Sequence, residues 1–236
     1  LYAGGGFSTA GGVPAIHLAR WNGNAWVSEG ATTLPTVLSI HWLPDGELVV
    51  GGNDYATGRR HVLRRSGTAW IPLGAGVGSY VYSLAVLPTG DIAAAGELLS
   101  AGATSVRYVA SWNGTEWSNF GSGADGSVNA LAVRSTGELI AGGTFHAPGG
   151  QQIRAVARWT GSIWSVLGAE MDSTVNDLIE TPTGEIVACG AFTTASGVPA
   201  RRIARWDGEQ WAPFGAGMNG TVHALAMAPK VLLLDE

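Results

Sequence analysis

The chain has 236 residues, of which 46 % are apolar and 13 % charged, with 36 glycines, one cysteine and a net charge of −5. The low charge and high apolar content exclude a disordered tail, the glycine load excludes a helical bundle, and the acidic balance without a basic stripe excludes a nucleic-acid binder. The lone Cys189 excludes an internal disulfide, and no apolar run approaches the ~18 residues of a spanning helix.

In chain order the predicted elements are short strands joined by tight turns. Leu1 stands in the phase of Leu139 and Ile186, so the chain enters at the second strand of a repeating unit. A Gly-rich loop then leads to a third strand, "LARW", and the Asn-Gly of "NGNA" turns the chain into a fourth that carries Trp26. The first complete unit opens at Val37. Its first strand ends in "LPDG", where Gly46 supplies the left-handed turn residue, and "ELVVGG" forms the second. After a variable loop, "VLRR" forms the third strand and a Ser-Gly turn leads to a fourth with Trp70. The same succession reopens at Val81, Val128 and Val175, with Gly90, Gly137 and Gly184 in the turns and Trp117, Trp164 and Trp211 on the fourth strands. "TVHALAMAP" (221–229) begins once more at Val222, and "KVLLLDE" (230–236) breaks the pattern. No segment shows helical periodicity.

Trp26, Trp70, Trp117, Trp164 and Trp211 are spaced 44, 47, 47 and 47 residues apart, a period that belongs to propellers and solenoids. Two hairpins per period make a four-stranded antiparallel meander, and radial repetition is one of the few ways an all-β chain protects its edges. The expected fold is therefore all-β, a β-propeller of five four-stranded antiparallel blades closed by pairing of the N- and C-terminal strands. Residues 1–229 would form one domain of five ~47-residue repeats, the closing blade built from 222–229 plus 1–30, with 230–236 a tail outside the repeat. A chain that starts at Leu1 with neither Met nor signal peptide reads as an excerpt or a mature fragment.

The repeat resembles a known family. A Gly-Gly doublet ending strand two, an aromatic on strand three and a Trp about five residues later are similar to the kelch-type propeller repeat. More closely, "AGGTFHAPGG", "ACGAFTTASG" and "AGGGFSTAGG", each followed by Ala-Arg-Trp, look like the Trp-rich arrays of large bacterial secreted or surface proteins. The resemblance covers residues 1–229. It implies a propeller, an extracellular or cell-surface location and a protein partner, since kelch-type propellers are mostly protein-binding scaffolds. A few, such as galactose oxidase, are copper enzymes, but no clustered Tyr, His and Cys set matches here, so the resemblance implies no catalytic residue. Blade two departs most, with Arg65 where the others have Trp, and blade three has Ala95 for the first Gly and Ser111 for Arg.

The repeated columns have structural and functional readings. Arg20, Arg64, Arg158 and Arg205 would form a ring of cations for an anionic ligand, or pair across the ladder with the strand-two carboxylates Glu47, Asp91, Glu138 and Glu185. The second reading uses partners already in the blade and is the one adopted. The Trp at the second position of the phrase (26, 70, 117, 164 and 211) would stack on sugars, or wedge between blades; its presence in every copy argues for the wedge. Function is better sought where the copies disagree. The column after the leading Val reads Leu38, Tyr82, Asn129, Asn176 and His223, and strand alternation would turn it toward a central channel, where Tyr82, Asn129, Asn176 and His223 would bind a small ligand or ordinary solvent.

His17, His41, His61 and His146 have no metal-ligand spacing, no pair of carboxylates stands out for glycosidase chemistry, and Cys189 replaces a Gly of strand two as a small buried residue. No catalytic residue, metal or cofactor is expected. The leading expectation is a monomeric, non-catalytic binding or scaffold propeller for a protein or other macromolecule. A multivalent lectin with one glycan site per blade is the alternative, and an enzyme with a channel-mouth site is the weakest of the three.

Overall fold

The computed structural model describes residues 1–30, 34–53, 62–146 and 154–226. Within them every regular element is a strand, and the strands form one three-stranded and four four-stranded antiparallel sheets, with three two-residue hairpins in the loops. Blade 2 comprises Thr36–Trp42, Leu48–Asn53, Val62–Ser66 and Ala69–Pro72. Blade 3 comprises Val81–Val86, Ile92–Gly96, Val109–Trp112 and Trp117–Asn119. Blade 4 comprises Val128–Val133, Leu139–His146, Arg154–Trp159 and Trp164–Val166, and blade 5 comprises Val175–Glu180, Ile186–Gly190, Ile203–Trp206 and Trp211–Pro213. The N-terminal sheet, blade 1, has Tyr2–Gly4, Leu18–Trp21 and Trp26–Ser28. Each complete blade runs in sequence order from its first strand to its fourth.

The first strands surround a common axis. Residues of all four, with Leu225 and Ala226, line one cavity of about 520 Å³. The second strands lie between neighbouring blades, so "LVVGGN", "IAAAG" and "IVACG" are buried along their whole length instead of alternating. Close packing there explains the Gly doublet. A Cβ on Gly142 would lie 2.7 Å from Val175 Cγ1 of the next blade, and one on Gly143 would lie 2.1 Å from the Ser127 carbonyl oxygen of its own.

Neighbouring blades are tied at two radii. Near the axis, each first strand slips register after its leading Val, at Val37/Ser39, Val81/Ser83, Val128/Ala130 and Val175/Asp177. In three of the four the side chain after the slip accepts from the next first strand or its equivalent: Ser39 Oγ takes the Leu84 amide at 3.0 Å, Ser83 Oγ the Leu131 amide at 3.0 Å, and Asp177 Oδ2 the Leu225 amide at 2.7 Å. At the rim, Trp70, Trp117, Trp164 and Trp211 donate their indole N–H to the carbonyls of Glu29, Leu73, Phe120 and Leu167 of the preceding blade, at 3.1, 2.9, 3.2 and 2.7 Å. Trp117, Trp164 and Trp211 are buried, with 5, 7 and 2 % exposure. A bulky ring that also satisfies a carbonyl at the seam fixes both the spacing and the rotation of two blades.

Blade 1 shows two docked halves. Gly4 faces Val37 of blade 2 as Gly142 faces Val175. On the other side, Val222 and Leu225 pack on Val187, Cys189 and Ile203 of blade 5, the place a further first strand would take. Among the described residues no ladder hydrogen bond joins 221–226 to Tyr2–Gly4, and at that seam Trp21 and Phe214 stay 37 and 44 % exposed. The rest of the expected closing strand, 227–229, and the 230–236 tail lie outside the described residues.

Candidate functional site

The arginine column is held by carboxylates, although from three different places in the blade. Arg158 and Arg205 reach the strand-two Glu138 and Glu185 at 3.6 and 3.1 Å. Arg64 instead takes the turn residue Asp45 at 2.5 Å, while Glu47 accepts from the Gly67 amide at 3.4 Å. Arg20 pairs with Glu29, beyond its fourth strand, at 2.6 Å, and this hydrogen bond raises the guanidinium pKa further.

Glu29 also explains why Arg65 replaces Trp. In blades 2 to 4 the residue after strand four is apolar and packs on the first Trp of the next blade, as Phe120 does on Trp159 at 5.3 Å between ring centroids. Between blades 1 and 2 that contact becomes an ion pair, Glu29 to Arg65 at 2.8 Å. The exchange is legible once the residues at 29, 73, 120 and 167 are aligned, because the one acidic member precedes the one arginine. A second network, absent from the sequence expectations, joins blades 4 and 5: Arg134 reaches Glu138 at 2.8 Å, Glu180 at 3.4 Å and the Gly184 carbonyl at 3.0 Å.

The blade-specific column does not assemble into one pocket. The register slip breaks the alternation expected to point it at the axis, and none of Tyr82, Asn129, Asn176 and His223 lines the axial cavity. Asn129 donates its amide to the Val175 carbonyl on the first strand of the next blade at 3.0 Å, and Asn176 to the Val222 carbonyl beyond blade 5 at 2.8 Å. Tyr82 donates to Glu97 at 2.9 Å and stacks on Tyr80, and Leu38 and His223 are exposed. The axial cavity itself is mostly apolar, with His41 on its wall; burial lowers the His41 pKa. Among the described residues no three His, Cys, Asp or Glu stand close enough together to hold a metal.

Two other places vary between blades on a constant backbone. The first is the face where strands two and three are joined. His17, Tyr108 and Arg202, each just before a third strand, have φ of 61°, 64° and 76°. Each amide donates to a loop carbonyl, of Phe7, Leu98 and Phe192 at 2.9, 2.7 and 2.8 Å, and each carbonyl accepts from Gly5, Gly96 or Gly190. A left-handed conformation costs a side-chain-bearing residue of order 1 kcal/mol, so glycine is the default there. Three chemically different, half-buried side chains stand in its place: His17 Nδ1 lies 3.2 Å from the Leu34 carbonyl oxygen, Tyr108 packs on the core that holds Phe120 and Trp164, and Arg202 donates to the Ala191 carbonyl. Nearby, Asp172 accepts from the Thr193 hydroxyl and from the amides of Thr193 and Thr194; burial opposes its ionisation, but these hydrogen bonds outweigh it and lower the pKa.

The second place is the opposite face, where grooves run between blades. The groove between blades 2 and 3 encloses about 560 Å³ and that between blades 3 and 4 about 770 Å³; Asp91 lines both. Each also has a Trp wall, Trp112 in the first and Trp159 in the second.

With this geometry in place, comparison with known proteins gives the fold a context. Residues 181–206 match the family described as "Domain of unknown function (DUF5122) beta-propeller". No curated protein matches the chain. Among solved structures it is similar to YCF48 bound to a D1 peptide, with 16 % identity and a TM-score of 0.52 over 83 % of this chain and 59 % of that one. It is also similar to a gluconolactonase from Xanthomonas campestris, with 13 % identity and a TM-score of 0.51 over 86 % of this chain and 69 % of that one. The chain thus spans less than two thirds of the YCF48 chain. These likenesses show the fold, a β-propeller, which in one neighbour carries a peptide and in another belongs to an enzyme.

Proposed function

We propose that the chain is a non-catalytic binding module that takes a protein partner on the face joining strands two and three. The observation that carries this reading is the column His17, Tyr108 and Arg202: one strained backbone, held by the same two hydrogen bonds in three blades, carrying three different half-buried side chains. Backbone strain of this kind clusters at functional sites, and glycine, which would relieve it, stands at none of the three positions. The peptide on the YCF48 neighbour and the resemblance to kelch-type scaffolds support the same reading, and the likeness to Trp-rich arrays of bacterial secreted or surface proteins supports a location outside the cell or on its surface.

Selection of a phage-displayed peptide library against the intact chain tests it. Binders should be lost on Tyr108→Gly or Arg202→Gly, which relieve the backbone and delete the side chain. Binders indifferent to both substitutions would refute the assignment of this face. A second reading, carbohydrate binding, is favoured by the Trp and carboxylate walls of the inter-blade grooves. A glycan array separates the two, since multivalent sugar binding with a silent peptide library would favour the lectin.

A further inference from the structure

The groove between blades 3 and 4 is an interrupted copy of an ion pair. In blades 4 and 5 the strand-two carboxylate is answered by an arginine on strand three, Glu138 by Arg158 and Glu185 by Arg205. Blade 3 keeps the carboxylate, Asp91, but carries Ser111 in the arginine register, opposite Ala93 as Arg158 is opposite Ile140. Among the described residues the Asp91 carboxylate has no hydrogen bond or ion pair; only its backbone is engaged, the amide donating to Thr89 Oγ1 at 3.3 Å and the carbonyl accepting from the Leu87 amide at 2.8 Å. The space has not collapsed, for Asp91 and Ser111 both open onto the ~770 Å³ groove.

We propose that this groove receives an arginine side chain of a partner protein, its guanidinium seated on Asp91 in the place that strand-three arginines fill in blades 4 and 5. Three features suit that occupant. The carboxylate accepts a planar guanidinium through two parallel bonds. The half-buried face of Trp159 on the opposite wall offers a stacking surface, which favours guanidinium over a strongly hydrated ammonium. Leu87, Pro88 and Phe120 line the near wall and suit the methylene stem. Arg158 on the far wall is already engaged by Glu138, so its charge is partly answered. The proposal rests on the protein-binding reading above but uses the opposite face.

The test is titration of the intact, isotope-labelled chain by NMR with the pentapeptide Gly-Gly-Arg-Gly-Gly, and with the same peptide carrying Lys or citrulline. The arginine peptide should shift the Trp159 indole and Asp91 signals saturably, the lysine peptide should bind more weakly, and citrulline should leave them still. Asp91→Asn should weaken the arginine peptide about tenfold or more, the loss of one charge-assisted pair. Ser111→Arg, which fills the socket from within, should abolish binding and raise the unfolding midpoint. Equal shifts with citrulline, binding unaffected by Asp91→Asn, no shift at millimolar arginine peptide, or shifts produced instead by methyl glucoside would each overturn the proposal. A groove that fails this titration while Tyr108-dependent library binders persist removes this inference and leaves the protein-binding reading standing.

Discussion

Trp164→Ala is the substitution that most directly weighs the seam between blades. The indole is 7 % exposed, donates to Phe120 O at 3.2 Å, and meets the Phe120 and Trp159 rings at centroid distances of 6.0 and 5.4 Å. Burying a Trp removes roughly 150 to 250 Å² from water, which at ~25 cal/mol per Å² is about 4 to 6 kcal/mol, of which the alanine methyl retains a small part. The Phe120 carbonyl also loses its partner. The expected cost is about 3 to 5 kcal/mol, read as a shift of the urea midpoint at unchanged slope. Trp164→Phe keeps most of the apolar area and loses the hydrogen bond, so it should cost about 1 to 2 kcal/mol and stay measurable if the alanine variant does not fold. A loss below about 1 kcal/mol for Trp164→Ala in an intact fold would refute the idea that this ring holds two blades together.

Four further outcomes are expected. Glu29→Leu and Arg65→Trp should each destabilise, by about 1 to 3 kcal/mol, while the double variant recreates the apolar contact of the other seams; a double-mutant cycle with coupling under about 0.5 kcal/mol would show that the two positions are independent. Burial lowers the His41 pKa, so the folded state binds fewer protons than the unfolded chain, and stability should fall as pH drops below about 6.5; His41→Gln should flatten that segment of a midpoint-against-pH curve. Burial, with a smaller contribution from the Asp177 charge, pushes the Cys189 thiol up to about 12, so a thiol reagent at neutral pH should react only as fast as the chain opens, and stoichiometric labelling within minutes would contradict that placement. In a Cys189→Ala background, cysteines at positions 21 and 214 should form an intramolecular disulfide if blades 1 and 5 meet as blades 3 and 4 do, and crosslinking only between molecules would refute closure within one chain.

The all-β architecture was legible because it rests on features with a fixed period: the leading Val, the turn glycines, the Gly doublet and the outer Trp each occupy one phase in successive copies. The Trp164 and Trp211 indole bonds show why the period is so strict, since a donor on one blade must meet a carbonyl 44 residues earlier on the last. What a period cannot carry is a departure from regular alternation. The register slip after Val128 and Val175 is invisible as composition, yet it decides that Asn129 and Asn176 span to a neighbouring carbonyl and do not line the axial cavity. The left-handed residues were equally hidden, because His17, Tyr108 and Arg202 give no local sign of a positive φ where glycine would have given one.

The two breaks in the repeat carry different meanings, and charge accounting separates them. At blade 2 the departure is compensated: Arg65 appears together with Glu29, both ends are satisfied, and the substitution exchanges one seam chemistry for another. At blade 3 it is not compensated: Ser111 removes the cation, and Asp91 is retained with nothing in the described chain to answer it. A half-exposed carboxylate tolerates that solitude in water at little cost. If partner binding is what keeps Asp91, then Asp91→Ala should leave the isolated fold as stable as before, within about 0.5 kcal/mol, while Glu185→Ala, which strands Arg205, should measurably lower the urea midpoint. An Asp91→Ala variant that unfolds more readily than Glu185→Ala would assign the carboxylate to the architecture of blade 3 and take away the reason to look for its cation on another molecule.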